Sequence, residues 1–559
     1  MSYFSRLLGY LSTIIHFKDI NVKEALLASS DINPDGTREI TYNEAKNSNI
    51  TVAMIQSALN SDYENNPNLD IISFEEFQYF TSLSYNFGSH LFRNCSNLKY
   101  IKFPKIKNDN IHKITINGVD LLGNTAIEKL DLIDIEYISG PTGYSDDNGY
   151  NSLFGKMTSL KEVWIPDLMS IFGNGFRSHS VPNVEKVVIS SINQWLNITI
   201  TEGANQHPNI LPTSGGKASL YEITQNGLQK ITRITTTGVT ALRNNIFNGI
   251  QDIVEITIAE ENTTVGDYVF ANLGDSNNYI LINNYNNIIS IGDGAFINCY
   301  AHGISNVPTS AKSIGSAYTH STLEKIESDE LETIGGLIAS YSTISKIKAD
   351  SVTSIGSSGS NNEGPFKSCT NLLTVSMKGL TSLPHYSFYG CSNLITVDLT
   401  SCIEIKWNAF TNCTSLVSFT APNLIKFGAK CFQMCYNLSV YNFDLTHAVE
   451  IDIEAFSGNG NKSMKIQMPC HFYDLTKIGD LAFAYCIAPT ENYIVLHRTS
   501  QIVTYVPYPS FSPYNINTFA GVRTIYVPDD LVSTYIADSN WSNMVNLGIT
   551  FIGISQLPV

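Results

Sequence analysis

Late in the chain, apolar residues return on a fixed beat. Phe366, Phe388, Phe410 and Phe432 stand 22 residues apart, three residues after each comes Cys369, Cys391, Cys413 or Cys435, and three further on comes Leu372, Leu394, Leu416 or Leu438. A period of that length marks one small coil stacked many times, each coil burying its apolar residues only against its neighbours. The leucine opens an alternating stretch in which Leu394, Val397 and Leu399 are apolar while Thr396 and Asp398 are polar. That alternation predicts a short strand with one face inward. The neighbouring strands read Leu372, Val375, Met377 and Leu416, Phe419, Ala421. Stacked in parallel about 4.8 Å apart, they form one face of a solenoid. The stretch from Phe to Leu turns the chain back through a short helical or irregular piece.

The unit F-x-x-C-x-x-L-x-x-V-x-L also occurs earlier, with small or apolar residues at the Cys place. Phe92, Cys95, Leu98, Ile101 and Phe103 fit it, as do Phe154, Met157, Leu160, Val163 and Ile165. Phe247, Ile253, Ile256 and Ile258 fit again, followed by Phe270, the Phe296/Cys299 pair, Phe456 and Phe483/Cys486. Loops are expected where the spacing stretches, around 141–151 and 357–364. The fold class is an α/β repeat solenoid of stacked parallel short strands. Its expected parts are a docking segment at 1–18, a small helical module at 19–85, the solenoid at 86–520 and a C-terminal cap at 521–559. Each phenylalanine is core, and losing one costs about 3–5 kcal/mol.

Composition narrows the function. A net charge of −16 leaves no basic footprint for nucleic acid and repels anionic membranes. No apolar run approaches the roughly 20 residues of a membrane span. Seven of the ten cysteines (Cys95, Cys299, Cys369, Cys391, Cys413, Cys435, Cys486) hold one repeat position, which reads them as small, reduced, buried residues. Cys402, Cys431 and Cys470 fall outside that position. The start, Met1 to Phe17, spaces Phe4, Leu7, Leu8, Leu11, Ile14 and Ile15 like a helix. It lacks the basic start and small-residue cleavage site of a signal peptide, so a docking helix or domain core is expected.

Chemistry is sparse. The chain contains no H-E-x-x-H, G-x-S-x-G or G-x-x-x-x-G-K-[ST], and its 11 histidines are scattered without evident acid or nucleophile partners. Carboxylates could still meet across coils, Asp398 and Asp452 being examples, but nothing singles them out. A non-enzymatic protein is expected. Asp31-Ile32-Asn33-Pro34-Asp35-Gly36 opens like a calcium loop, D-x-N-x-D-G. The later ligand places hold Arg38 and Tyr42; treating Thr37-Arg38 as an insertion brings Glu39, Ile40 and Glu44 into register. The candidate Ca²⁺ ligands are therefore Asp31, Asn33, Asp35, Glu39 and Glu44. The alternative is a turn capped by Asp and Asn side chains.

The repeat resembles the BspA-like leucine-rich repeat family. The stretches DINPDGTREITYNEA and ISFEEFQYFTSL resemble the EF-hand-like module that precedes such repeats, and IYVPDDLVSTYIADSNWS resembles the family's closing segment. The resemblance implies a short helix after Pro528, a packed Trp541 and a last strand around Ile549 to Ile552. It also implies a surface adhesin or binding protein of gut or oral bacteria, or of their phages. Abundant Asn, Ile and Tyr suggest an A/T-rich genome. A phage virion component, a tail or head appendage, is the favoured reading, with a bacterial cell-surface adhesin as the alternative and a glycan-active hydrolase behind both. Expected partners are a host surface protein or glycan, or other virion proteins through residues 1–85; a homo-oligomer is compatible with either. Large aromatics dominate recognition, which brings forward Tyr386, Tyr389, Trp407 and Tyr436 near the coil turns. The proline-rich loop with Tyr505, Tyr508, Phe511 and Tyr514 is a second contact candidate, against plain cap packing.

Overall fold

The computed structural model describes residues 13–141, 152–176, 181–201, 218–319, 321, 323–336, 338–357, 362–438, 444–458, 470–486, 493–507 and 516–558. They form two compact units, one of residues 1–260 and 268–283 and the other of 261–267 and 284–559.

In the second unit the leucine-led stretches are strands. Thr374–Ser376, Thr396–Asp398 and Ser418–Thr420 pair in parallel, with Val375, Val397 and Phe419 in register and facing the core. The alternation predicts one strand per coil; the chain forms two. A second parallel sheet runs through Ser382–Leu383, Glu404–Ile405, Lys426–Phe427, Glu450–Ile451 and Lys477–Gly479. Its strands are too short for a period of two to show in the sequence.

The phenylalanines lie one over the next. Ring centroids are 5.2 Å apart for Phe366/Phe388 and Phe388/Phe410, and 5.3 Å for Phe410/Phe432, with near-parallel planes. Phe456 and Phe483 continue the column. The turns of Phe388, Phe410 and Phe432 have left-handed residues two places before and after the ring: Tyr386 (φ 55°) and Gly390 (73°), Asn408 (57°) and Asn412 (64°), Lys430 (56°) and Met434 (62°). This alternation aims every second N–H at the following coil. Tyr386, Phe388 and Gly390 donate to the carbonyls of Trp407, Ala409 and Thr411 at 3.0, 2.7 and 2.9 Å, and Asn408, Phe410 and Asn412 repeat the pattern onto Ala429, Cys431 and Gln433.

The repeated cysteine completes this turn. The Phe388 carbonyl accepts the Cys391 N–H at 3.1 Å and, from the next coil, the Cys413 thiol at 3.1 Å. Cys391 and Cys435 serve Phe366 and Phe410 likewise. All ten cysteines are buried and free. Burial pushes the Cys369 thiol up to about 12.

A one-way ladder leaves carbonyls without donors at its start. In the first unit the coil of Phe92 meets the helix Val52–Asn60, N-capped by Thr51. Gln56 Nε2 donates to the Ser89 carbonyl at 3.3 Å, and Asn60 Nδ2 to those of Leu91 and Arg93 at 3.4 and 3.1 Å. These three carbonyls occupy the acceptor places of the ladder. Farther along, Phe154 and Phe176 lie 5.1 Å apart with planes tilted by 32°, after which the beat lapses until Phe247. The helix Ile192–Asn197 fills the lapse. Its fully buried Trp195 donates Nε1–H to the Ile246 carbonyl at 3.0 Å, the place a stacked phenylalanine N–H would serve. Arg243 returns two donors to the carbonyls of Trp195 and Leu196.

At the other end of the chain, Val532–Ala537 follows Pro528, and Thr550–Gly553 pairs in parallel with Thr524–Val527. Trp541 is fully buried and donates to the Val503 carbonyl at 2.7 Å.

Candidate binding surface

Register puts equal repeat positions side by side, so outward residues form rows. One row is Thr374, Thr396 and Ser418. The next is Ser376, Asp398 and Thr420, and it is largely satisfied from within: Ser376 donates to Asp350 at 2.5 Å and Thr400 to Asp398 at 2.6 Å. Lys378 lies 3.4 Å from Asp350 and 3.8 Å from Asp398. Asp398 and Asp452 do not form a catalytic couple: Asp398 ends a strand of one sheet, Asp452 follows a strand of the other, and Asp452 is held by Lys477 at 2.9 Å.

The second sheet carries a groove of about 320 Å³ beside three of its inner strands. Strand residues Glu404, Lys426 and Glu450 stand in register along it, with Lys426 and Glu450 joined at 3.0 Å. Trp407 forms one wall, 37% exposed, held edge-on by Tyr386 at 5.2 Å and His385 at 6.4 Å. Burial, and then the charge of Lys406, hold His385 below the ordinary imidazole range. Gly428 and Ala429 make the floor. A side chain at Gly428 would meet the Ile405 carbonyl oxygen at 2.8 Å, which keeps this position small.

The other candidates fall differently. Tyr386 is nearly buried and donates to Asn362 at 3.0 Å, with Tyr389 packed on it at 5.5 Å. Burial raises the Tyr436 hydroxyl. Tyr505 lies in the core, its hydroxyl donating to Asp480 at 2.7 Å, so that ring serves cap packing and offers no surface. Tyr508, Phe511 and Tyr514 lie outside the described residues.

At the N-terminal loop, Gly36 makes the sharp turn with φ 65°. The oxygen-bearing side chains are engaged locally. Asn33 donates to the carbonyls of Leu27 and Thr37 at 2.9 Å each, and Asp35 accepts from Thr37 N at 3.1 Å. Glu39 pairs with Lys23 at 2.9 Å, Glu44 closes a capping box with Thr41, and Asp31 is exposed. Among the described residues no three His, Cys, Asp or Glu side chains are gathered as metal ligands. The bonds of Asn33 and Asp35 are those of a turn capped by its own Asx side chains. Residues 1–12 lie outside the described residues; Ile14 and Ile15 are core, with Ile14 bridged antiparallel to Thr41.

The histidines are less scattered in space than in sequence. His471 Nδ1 and His497 Nε2 are 2.9 Å apart, and Tyr473 stacks on His497 at 4.2 Å. His447 pairs with Asp474 at 2.7 Å. A separation of one coil, 471 to 497, was the only available signal, and the irregular spacing there conceals it.

A family model described as BspA type leucine rich repeat region (6 copies) matches residues 72–200, 240–363 and 359–490. Among solved structures, a leucine-rich repeat protein from Bacteroides ovatus is 19% identical, covering 77% of this chain and 94% of its own, with a TM-score of 0.36. A leucine rich cell surface protein from Faecalibacterium prausnitzii is 16% identical over 62% of this chain and 82% of its own, with a TM-score of 0.18. An internalin from Listeria monocytogenes is 10% identical over 72% and 95%, with a TM-score of 0.17. No curated protein matches the chain. No helix among the described residues is long and apolar enough to cross a membrane.

Proposed function

This chain belongs to the BspA type leucine-rich repeat family, and on that premise we propose that it is a non-enzymatic attachment scaffold. One observation carries the reading: parallel register arrays identical repeat positions into rows on a close-packed support, and the rows open into a groove at Trp407. Such a surface holds side chains in place before a ligand arrives, which lowers the ordering cost of binding. Of the carboxylates on the two sheets, Asp350, Asp398, Glu450 and Asp452 are tied to lysines or hydroxyls, an arrangement suited to holding and not to proton transfer.

We place the scaffold on a virion, as a tail or head appendage that attaches to a host surface protein or glycan; a bacterial cell-surface adhesin is the alternative. The family membership supports attachment in both settings. Binding of the purified chain to bacterial cell envelopes, with mass spectrometry of purified virus particles and of washed cell surfaces, tests it. Saturable binding is expected, with the chain recovered from particles. Recovery from cell surfaces alone selects the alternative, and absence of saturable binding overturns the scaffold.

A further inference from the structure

We propose that the notch at Trp407 binds one uncharged sugar ring of a surface glycan. The inference rests on the scaffold reading and names the ligand class of that groove. Register makes Lys406-Trp407, Gly428-Ala429 and Asp452-Ile453 equivalent pairs in three successive coils. The middle pair brings almost no side chain, so a coil-wide gap opens between an indole and a carboxylate. The flanking coils stand about 10 Å apart, two strand spacings. That admits a single ring laid against the indole.

The lining decides the chemistry. Trp407 is 37% exposed, whereas Trp195 and Trp541 are fully buried, and Trp164 has Lys129 Nζ 3.9 Å from its ring centre. An apolar ring face can cover the Trp407 indole. Around it, Glu404, Glu450 and Asp452 supply acceptors while Lys406 and Lys426 supply donors. A sugar hydroxyl both donates and accepts, so it uses both sets. An apolar ligand would desolvate these charges and offer them no hydrogen bonds, at a cost. A polyanion meets a chain of net charge −16 and is repelled. An uncharged sugar ring, with an apolar C–H face and a hydroxyl-bearing rim, satisfies all three conditions.

The test titrates the full chain, by calorimetry and saturation-transfer NMR, with neutral hexose and N-acetylhexosamine oligosaccharides, and in parallel with bacterial cell envelopes. Two variants are compared: Trp407→Ala removes the wall, and Ala429→Leu fills the notch from a half-exposed position. Both are expected to melt like the parent and to bind oligosaccharide at least tenfold more weakly. Failure of every oligosaccharide to bind, or equal binding by parent and both variants, overturns the sugar site. Envelope binding by the parent that both variants retain would sink this inference while leaving the scaffold standing; loss of envelope binding in the parent itself would sink the scaffold.

Discussion

Between Phe366 and Phe456 every coil repeats one arrangement, whereas between Phe176 and Phe247 the same need is met by residues that share nothing with the repeat. In the regular stretch, a phenylalanine ring fills the layer and its N–H serves the next coil. In the lapse, the fully buried Trp195 indole supplies apolar volume and its Nε1–H serves the Ile246 carbonyl. A coil is thus defined by two demands, apolar volume and one donor at a fixed place. Any side chain meeting both can stand in for the motif. The ends obey the same accounting, since Gln56 and Asn60 supply amide donors where no preceding coil exists.

The sharpest break of this comparison is Phe410→Ala beside Trp195→Ala. Each should lose about 3–5 kcal/mol, because each ring is fully buried. Urea denaturation of the separate variants checks it, and a loss under 1 kcal/mol at Trp195 would mean that it is no substitute. Trp195→Phe separates the two demands. It keeps a ring and orphans the Ile246 carbonyl, so about 1–3 kcal/mol should go. Asn60→Leu should cost a similar amount by orphaning the Leu91 and Arg93 carbonyls, and amide exchange should rise first in the coil of Phe92.

Smaller effects refine the regular stretch. Cys413→Ala removes the thiol that serves the Phe388 carbonyl and should cost about 1 kcal/mol, while Cys413→Ser should recover part of it by donating again. Equal melting of the two variants would refute a donor role. The smallest effect is that of pH. His385 and His497 are both held below the ordinary imidazole value by burial, helped by Lys406 and His471 respectively. A depressed imidazole stabilises fully above its unfolded value of about 6.5 and loses that contribution as pH falls through the folded value. Both side chains are partly exposed, so solvent screening keeps the effect small. Melts from pH 7.5 to 5 should show a shallow decline that His385→Asn and His497→Asn each flatten.

Much of this is legible in the sequence. The 22-residue beat marks Phe388 and Phe410 as successive layers because a period with one ring per coil has no other compact solution. The cysteines read as small and buried, though not as thiol donors, since composition shows size and not the direction of a bond. Trp407 stood among several aromatics near turns, and nothing local separated it from Tyr386. What distinguishes them is burial: Tyr386 turns inward to Asn362, while Trp407 borders the gap left by Gly428 and Ala429 one coil away. The calcium-like spacing from Asp31 to Glu44 was legible too, but not that Lys23 and Thr41 engage two of its acids.

By itself, then, the order of residues determined the coil, its period and its inward face, because burial of apolar groups at fixed spacing is a property of neighbours along the chain and their repeats. Only the tertiary structure decided the second sheet, the one-way hydrogen-bond ladder with its amide cap, the His471–His497 contact and the notch at Trp407. Each of these joins residues on different coils or different elements, and how far one coil slides over another is set by packing that no single coil encodes.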